Sequence, residues 1–160
     1  MNIKTFCSIG IGLLFVLASY GQQSSRHAIG LRLGDSRGFD AEISYQLFIS
    51  SNNRFEFDFG WRNQENFDAI KITALYQWVY NLDKGFNWYV GPGGGIGFID
   101  SNRNDFNDGS SSFVYIAGVA GIEYDFDIPL LISFDFRPEI NFGSGSDLNF
   151  GLGLGVRYQF

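Results

Sequence analysis

The chain has 160 residues, a formal charge of −6, 21 glycines, 18 phenylalanines and only 3 prolines. So acidic a chain, without a basic cluster, is a poor partner for nucleic acid. Its single cysteine, Cys7, excludes a disulfide framework. No stretch after Ala18 is apolar over the ~20 residues a membrane helix needs, and none keeps a helical period.

Residues 1–21 read as an export signal. Lys4 supplies the positive start, and Ile9 to Ala18 form an apolar run too short to cross a bilayer. Ser19-Tyr20-Gly21 puts small residues at both ends of a cleavage site, which places the cut before Gln22. Cys7 lies inside the apolar run rather than at its end, so no lipid-modified cysteine is expected and the mature chain needs no redox chemistry. Residues 22–160 then suit one domain.

From there the dominant signal is alternation, which in a strand sends successive side chains to opposite faces. Ile29, Leu31 and Leu33 alternate with Gly30 and Arg32. After the brief Asp35–Gly38 turn, Phe39 to Ile49 carries apolar residues against Asp40, Glu42, Ser44 and Gln46. Ser50–Asn53 is a tight polar turn. Phe55, Phe57, Phe59 and Trp61 then oppose Glu56, Asp58, Gly60 and Arg62. Asn63–Asp68 reads as a loop. Ile70, Ile72, Ala74, Tyr76, Trp78 and Tyr80 follow against Lys71, Thr73, Leu75 and Gln77, and Asn81–Asn87 turns the chain again.

Trp88, Val90, Pro92, Gly94, Ile96 and Phe98 oppose Tyr89 and four glycines. Pro92 cannot donate to a ladder, which predicts a bulge or a local break in pairing. The long polar segment Asp100–Ser112 leads to Val114–Tyr124, whose other face carries Tyr115, Ala117, Gly121 and Glu123. Asp125–Pro129 turns into Leu130, Ile132, Phe134 and Phe136 against Ser133, Asp135 and Arg137, and Pro138–Ser146 is expected to connect onward. The last segment, Leu148–Phe160, has Leu, Phe, Val and Tyr on one face and glycine, Asn149, Arg157 and Gln159 on the other.

These are eight amphipathic strands, most near the 9–11 residues of a tilted membrane strand. The fold class they specify is all-β: an eight-stranded antiparallel up-and-down transmembrane β-barrel, greasy face to lipid. The even-numbered connections are short, as periplasmic turns should be, and the odd ones include the two longest, as outer loops should, although the first, Asp35–Gly38, is unusually brief for that scheme. On that topology Trp78, Tyr80, Trp88, Tyr124, Tyr158 and Phe160 gather at the inner membrane boundary, where amphipathic rings sit well. A soluble ligand-binding barrel of eight strands is the fold-level rival. It would have to bury the greasy positions and expose the charged ones.

With its export signal, eight amphipathic strands, tight inner turns and terminal Tyr158-Gln159-Phe160, the chain resembles the small eight-stranded outer-membrane β-barrel proteins of Gram-negative bacteria. The resemblance covers the whole mature chain. It implies an integral outer-membrane protein, monomeric, in contact with outer-membrane lipid and lipopolysaccharide. It also implies that the barrel-assembly machinery reads Phe160 and Tyr158 as an assembly signal. Its motifs are architectural, shared by adhesins, stability proteins, small pores and a few lipid enzymes, and fold alone selects no activity.

Side-chain chemistry narrows this further. Gly91–Gly97 fits neither phosphate-binding glycine motif and reads as lumen-facing small residues that leave room for large ones such as Tyr115 or an arginine. Asp100–Asp105 begins like a calcium loop but has Asp105 where glycine is required and Ser111 where Glu is required. His27, the only histidine, falls before the first alternating run, so a lipid-modifying Ser–His enzyme lacks its base on any strand. No cofactor or metal site is expected.

The inward positions hold acids Asp40, Glu42, Glu56, Asp58, Glu123 and Asp135 and bases Arg32, Arg62, Lys71, Arg137 and Arg157. Near balance suits paired charges filling a narrow lumen, since charges removed from water must be partnered. A non-enzymatic barrel with a filled lumen is therefore the leading reading. A small passive pore, porin-like, is the alternative, and a lipid-modifying enzyme comes third.

Overall fold

The computed structural model describes residues 26–36, 39–64, 67–101, 111–142 and 147–160. The expected signal segment, and the Asn102–Asp105 part of the calcium-like stretch, lie outside the described residues. The strands are β1 (His27–Ser36), β2 (Phe39–Phe48), β3 (Asn53–Gln64), β4 (Phe67–Asp83), β5 (Phe86–Ser101), β6 (Ser111–Asp125), β7 (Leu130–Phe142) and β8 (Leu148–Gln159). Each pairs antiparallel with its neighbours in chain order. β1 closes onto β8 from Ala28–Gln159 to Asp35–Leu152, so the sheet has no free edge.

Which face points outward is decided by the side chains themselves. Leu154, Phe57, Ile72 and Phe134 are 42–48% exposed, whereas Arg137, Lys71 and Arg54 are at 0%. The greasy face is outside and the charged face inside. That arrangement rules out the soluble rival, which requires the opposite.

Several strands run further than alternation suggested. β1 begins at His27, β4 spans 17 residues, and β7 continues through Pro138 to Phe142, where a connection was expected. The Asn81–Asn87 turn shrinks to Lys84-Gly85, both with positive φ (35° and 88°). Two left-handed residues make the hairpin turn whose twist matches that of paired strands, and glycine suits the second place.

Glycine also permits close backbone approach at two places. A Cβ on Gly30 or Gly34 would collide with the Val156 or Leu152 carbonyl of β8, and one on Gly91, Gly93 or Gly95 with the Tyr76, Ala74 or Ile72 carbonyl of β4. These close approaches fall at the β8–β1 and β4–β5 junctions, on opposite sides of the ring, where glycine permits sharp curvature.

Pro92 produces the break but no bulge. The register is the same on both sides, Trp78–Val90 and Leu75–Gly93, while the two pairs between them are absent. Pro138 does the same to β6–β7: Ala120–Phe136 and Ala117–Glu139 keep one register around two missing pairs. Each proline removes one backbone donor from an otherwise regular ladder.

Candidate functional site

The inward face is a lattice of ion pairs, most of them reaching between strands that do not pair. Arg32 of β1 donates to Asp135 of β7 at 2.6 Å and to Glu42 of β2 at 3.1 Å. Arg137 of β7 crosses the full width to β3, meeting Asp58 at 2.8 Å and Glu56 at 3.0 Å. Arg157 of β8 lies 3.2 Å from Glu56 and donates to Ser44 and Ser133 at 2.9 and 2.7 Å. Lys71 of β4 meets Glu139 of β7 at 2.6 Å. Arg54 of β3 grips both oxygens of Glu123 of β6, at 3.0 and 2.7 Å, and stacks over the Tyr89 ring at 4.6 Å.

Of the positions read from the sequence as inward charges, Arg32, Glu42, Glu56, Asp58, Lys71, Glu123, Asp135, Arg137 and Arg157 are buried to within 3%. Arg62 is half-buried near the loop end of β3, and the side chain of Asp40 lies outside the described residues. Two members escaped the sequence reading. Arg54 was hidden beside the Ser50–Asn53 turn, and Glu139 lay behind Pro138, taken as the end of a strand. Parity alone would have found both: 54, 56 and 58 share a face, as do 135, 137 and 139. With them the described buried set is six acids (Glu42, Glu56, Asp58, Glu123, Asp135, Glu139) against five bases (Arg32, Arg54, Lys71, Arg137, Arg157).

The other side of the lumen is different. Leu75 and Val79 of β4, Tyr89 of β5 and Tyr115, Ala117 and Val119 of β6 form one apolar cluster. The inward glycines make room for large side chains. A Cβ at Gly121 would strike the Tyr89 ring, at Gly95 the Tyr115 ring, at Gly153 the Arg32 guanidinium and at Gly155 that of Arg157. Gly91–Gly97 is therefore strand and packing surface. Tyr115 OH is hydrogen-bonded to Thr73 Oγ1 and donates to the Ile72 carbonyl, which ties β6 to β4 across β5.

At the end with short turns, a recess of about 340 Å³ is lined by residues that include Asn52, Asn81, Asn87, Asp125 and Gln159. Glu123 also lines it, and the Arg54–Glu123 pair sits behind as its floor. Outside, aromatic rings gather around the same end: Tyr80 stacks on Trp88 at 4.7 Å and Tyr124 meets Phe86 and Phe126, each at 4.6 Å.

His27 is part of the barrel. It is the first residue of β1, exchanges backbone hydrogen bonds with Phe160 and stacks on its ring at 5.6 Å. Its Nδ1 lies 2.7 Å from the Tyr45 hydroxyl. The expectation that no strand carries a histidine is thereby corrected. The ring belongs to the barrel's closing seam, beside Phe160, where β1 and β8 need a defined terminal pair.

The chain has the fold of the small eight-stranded outer-membrane β-barrels. No protein-family model matches it and no curated protein sequence does. Among solved structures it is similar to the N-terminal β-barrel domain of Pseudomonas aeruginosa OprF, with TM-score 0.68 and 17% identity over 86% of this chain and 100% of that one. It is also similar to Neisserial surface protein A, with TM-score 0.61 and 15% identity over 84% and 94%. A de novo designed transmembrane β-barrel matches with TM-score 0.54 and 14% identity over 88% and 100%.

Proposed function

We propose that the chain is a non-enzymatic integral outer-membrane barrel with a side-chain-filled lumen, acting in envelope structure or through its outer loops. The observation that carries this reading is Arg137, which spans the lumen to hold Glu56 and Asp58 while itself fully buried. A guanidinium so placed closes the path that a pore would keep open, and moving it would leave charges unpaired. On this reading the protein is exported by its N-terminal segment and sits as a monomer among outer-membrane lipid and lipopolysaccharide. The short-turn end faces the periplasm.

The direct test is electrical. The pure protein in a planar bilayer is expected to give no steady current; reproducible channels whose selectivity changes with Glu56→Gln would replace the plug with a pore. Location is checked by fractionation with the outer membrane and by faster gel migration unboiled than boiled. Register is checked by Leu154→Arg, which should cost about 2–4 kcal/mol in a lipid-refolding titration because it puts a charge in hydrocarbon, whereas Ser111→Arg at a strand end should cost little.

Tyr158 and Phe160 are proposed as the signal read by the barrel-assembly machinery. Deleting Phe160 should reduce insertion in cells far more than refolding into detergent, since a single interfacial aromatic is a modest loss of burial. Normal outer-membrane levels of the truncated chain would remove that role. The enzyme reading draws no support from His27, whose ring is engaged by Tyr45 and Phe160 at the seam.

A further inference from the structure

Three observations converge on the β5–β6 hairpin. First, its two strands pair without interruption from Phe86–Tyr124 to Ile99–Ser111, yet the ladders on both its flanks are broken at one height. Pro92 opens the gap toward β4 and Pro138 the gap toward β7, and both prolines flank Gly118, which pairs with Pro92. Between the β6–β7 gap and the loop end of that ladder only the pairs from Ala117–Glu139 to Val114–Phe142 remain.

Second, the hairpin contributes one residue, Glu123, to the buried ion-pair lattice, near the short-turn end. Its other buried lumen side chains are apolar or phenolic, Tyr89, Tyr115, Ala117 and Val119, with the Lys71 ammonium 5.0 Å from the centre of the Tyr115 ring. Third, the strands on either side of it are joined directly behind it. Lys71 of β4 reaches Glu139 of β7 at 2.6 Å, and Arg137 of β7 reaches Asp58 of β3 at 2.8 Å.

We infer that the β5–β6 hairpin is the barrel's opening unit. Its loop end parts from β7, and secondarily from β4, while the Arg54–Glu123 pair acts as the hinge at the other end. The six remaining strands stay joined by the lattice, with the Lys71–Glu139 pair as the strap across the gap. Among the described residues, the loop half of the hairpin carries no charged residue of the buried lattice, and its lumen face at the gap is Tyr115, Ala117 and Val119. Outward movement of this half therefore carries no lattice charge with it, and the Lys71–Glu139 and Arg137–Asp58 pairs stay closed behind it.

Hydrogen–deuterium exchange on the full chain folded in lipid nanodiscs tests this. Amides of Val114–Ala117 and Ile140–Phe142 should exchange at least about tenfold faster than those at the loop ends of β3 and β4, Phe59–Trp61 and Ile70–Ile72, as expected for a locally opening unit. Pro138→Ala restores the missing donor and should slow exchange in the hairpin about tenfold, one hydrogen bond's net contribution. Tyr115→Phe cuts the tether to Thr73 and should speed it. Protection that is uniform around the ring, first opening at the β1–β8 seam, or a rate unmoved by Pro138→Ala would each overturn the proposal. If Pro138→Ala does not fold, the wild-type exchange profile and the Tyr115→Phe shift decide it.

Discussion

The two sides of the lumen solve one problem by opposite means. Along β1–β3 and β7–β8 the interior is filled by long charged side chains that neutralise one another across the barrel. Along β4–β6 it is filled mainly by Tyr89, Tyr115, Leu75 and Val119 lying against glycine-rich backbone. The charged side is fixed by partners far away in sequence, such as Arg32 and Asp135, so it holds strands at their relative heights. The apolar side is fixed by shape, and it coincides with both interrupted ladders. Connectivity resides in the first region and compliance in the second. A barrel needs partners wherever a buried charge would otherwise be stranded, and at the β6–β7 gap Arg137 and Glu139 have theirs across the lumen in Asp58 and Lys71.

The comparison is broken most severely on the charged side. Arg137→Ala removes the cation that meets Asp58 and one of those that meet Glu56 and, at 3.6 Å, Glu42; Glu56 keeps Arg157 and Glu42 keeps Arg32, while Asp58 is left buried without a cation. Removing one member of a buried pair costs about 3–5 kcal/mol. A urea titration of the folded protein in lipid vesicles should therefore show either that loss or failure to fold. A loss below about 1 kcal/mol, the scale of an exposed ion pair, would mean that water reaches the lattice.

The apolar side is sharpened by two glycines with contrasting surroundings. A Cβ on Gly91 would run into the Tyr76 carbonyl of β4, a backbone atom that cannot move aside. One on Gly118 would meet only Pro138 Cγ at 3.4 Å, an ordinary contact. Gly91→Ala should accordingly destabilise by about 1–3 kcal/mol, the range for overpacking, with Gly118→Ala close to neutral in the same titration. Equal effects would show that the β4–β5 corner is not set by backbone approach.

What alternation could reveal was the facing of side chains, and it did so wherever a strand was uninterrupted: Phe55 to Trp61 outward, Glu56 and Asp58 inward. It failed at the places where local turn chemistry masks parity. Pro138 reads as a stop because proline is excluded from central strands, yet a ladder that forgoes one rung lets β7 run on and bring Glu139 to Lys71. Arg54 sits against a polar turn and passes for part of it. His27 lies ahead of the first alternating pair, so nothing local places it in β1; its position follows from Phe160 arriving beside it at closure. Which acid meets which base was also beyond local reading. Arg137 and Asp58 are brought together only once closure sets the stagger of every strand around the ring.

The smallest of these effects is the most discriminating about how the apolar side is held. Tyr115 is buried to 1%, its ring lies over Gly95, and its hydroxyl is shared between Thr73 Oγ1 and the Ile72 carbonyl. Tyr115→Phe keeps the ring and removes only the hydroxyl. If shape dominates, the loss is that of one neutral hydrogen bond, about 0.5–1.5 kcal/mol, and Thr73 can turn its own hydroxyl to a backbone acceptor. Tyr115→Ala, by contrast, also removes the ring and should cost about 3–5 kcal/mol, the range for deleting a buried aromatic. The ratio of the two losses separates filling from tethering. A Phe variant as unstable as the Ala variant would mean that the Thr73 bond, rather than packing on Gly95, fixes β6 against β4, and the two sides of the lumen would then be held by the same kind of polar link.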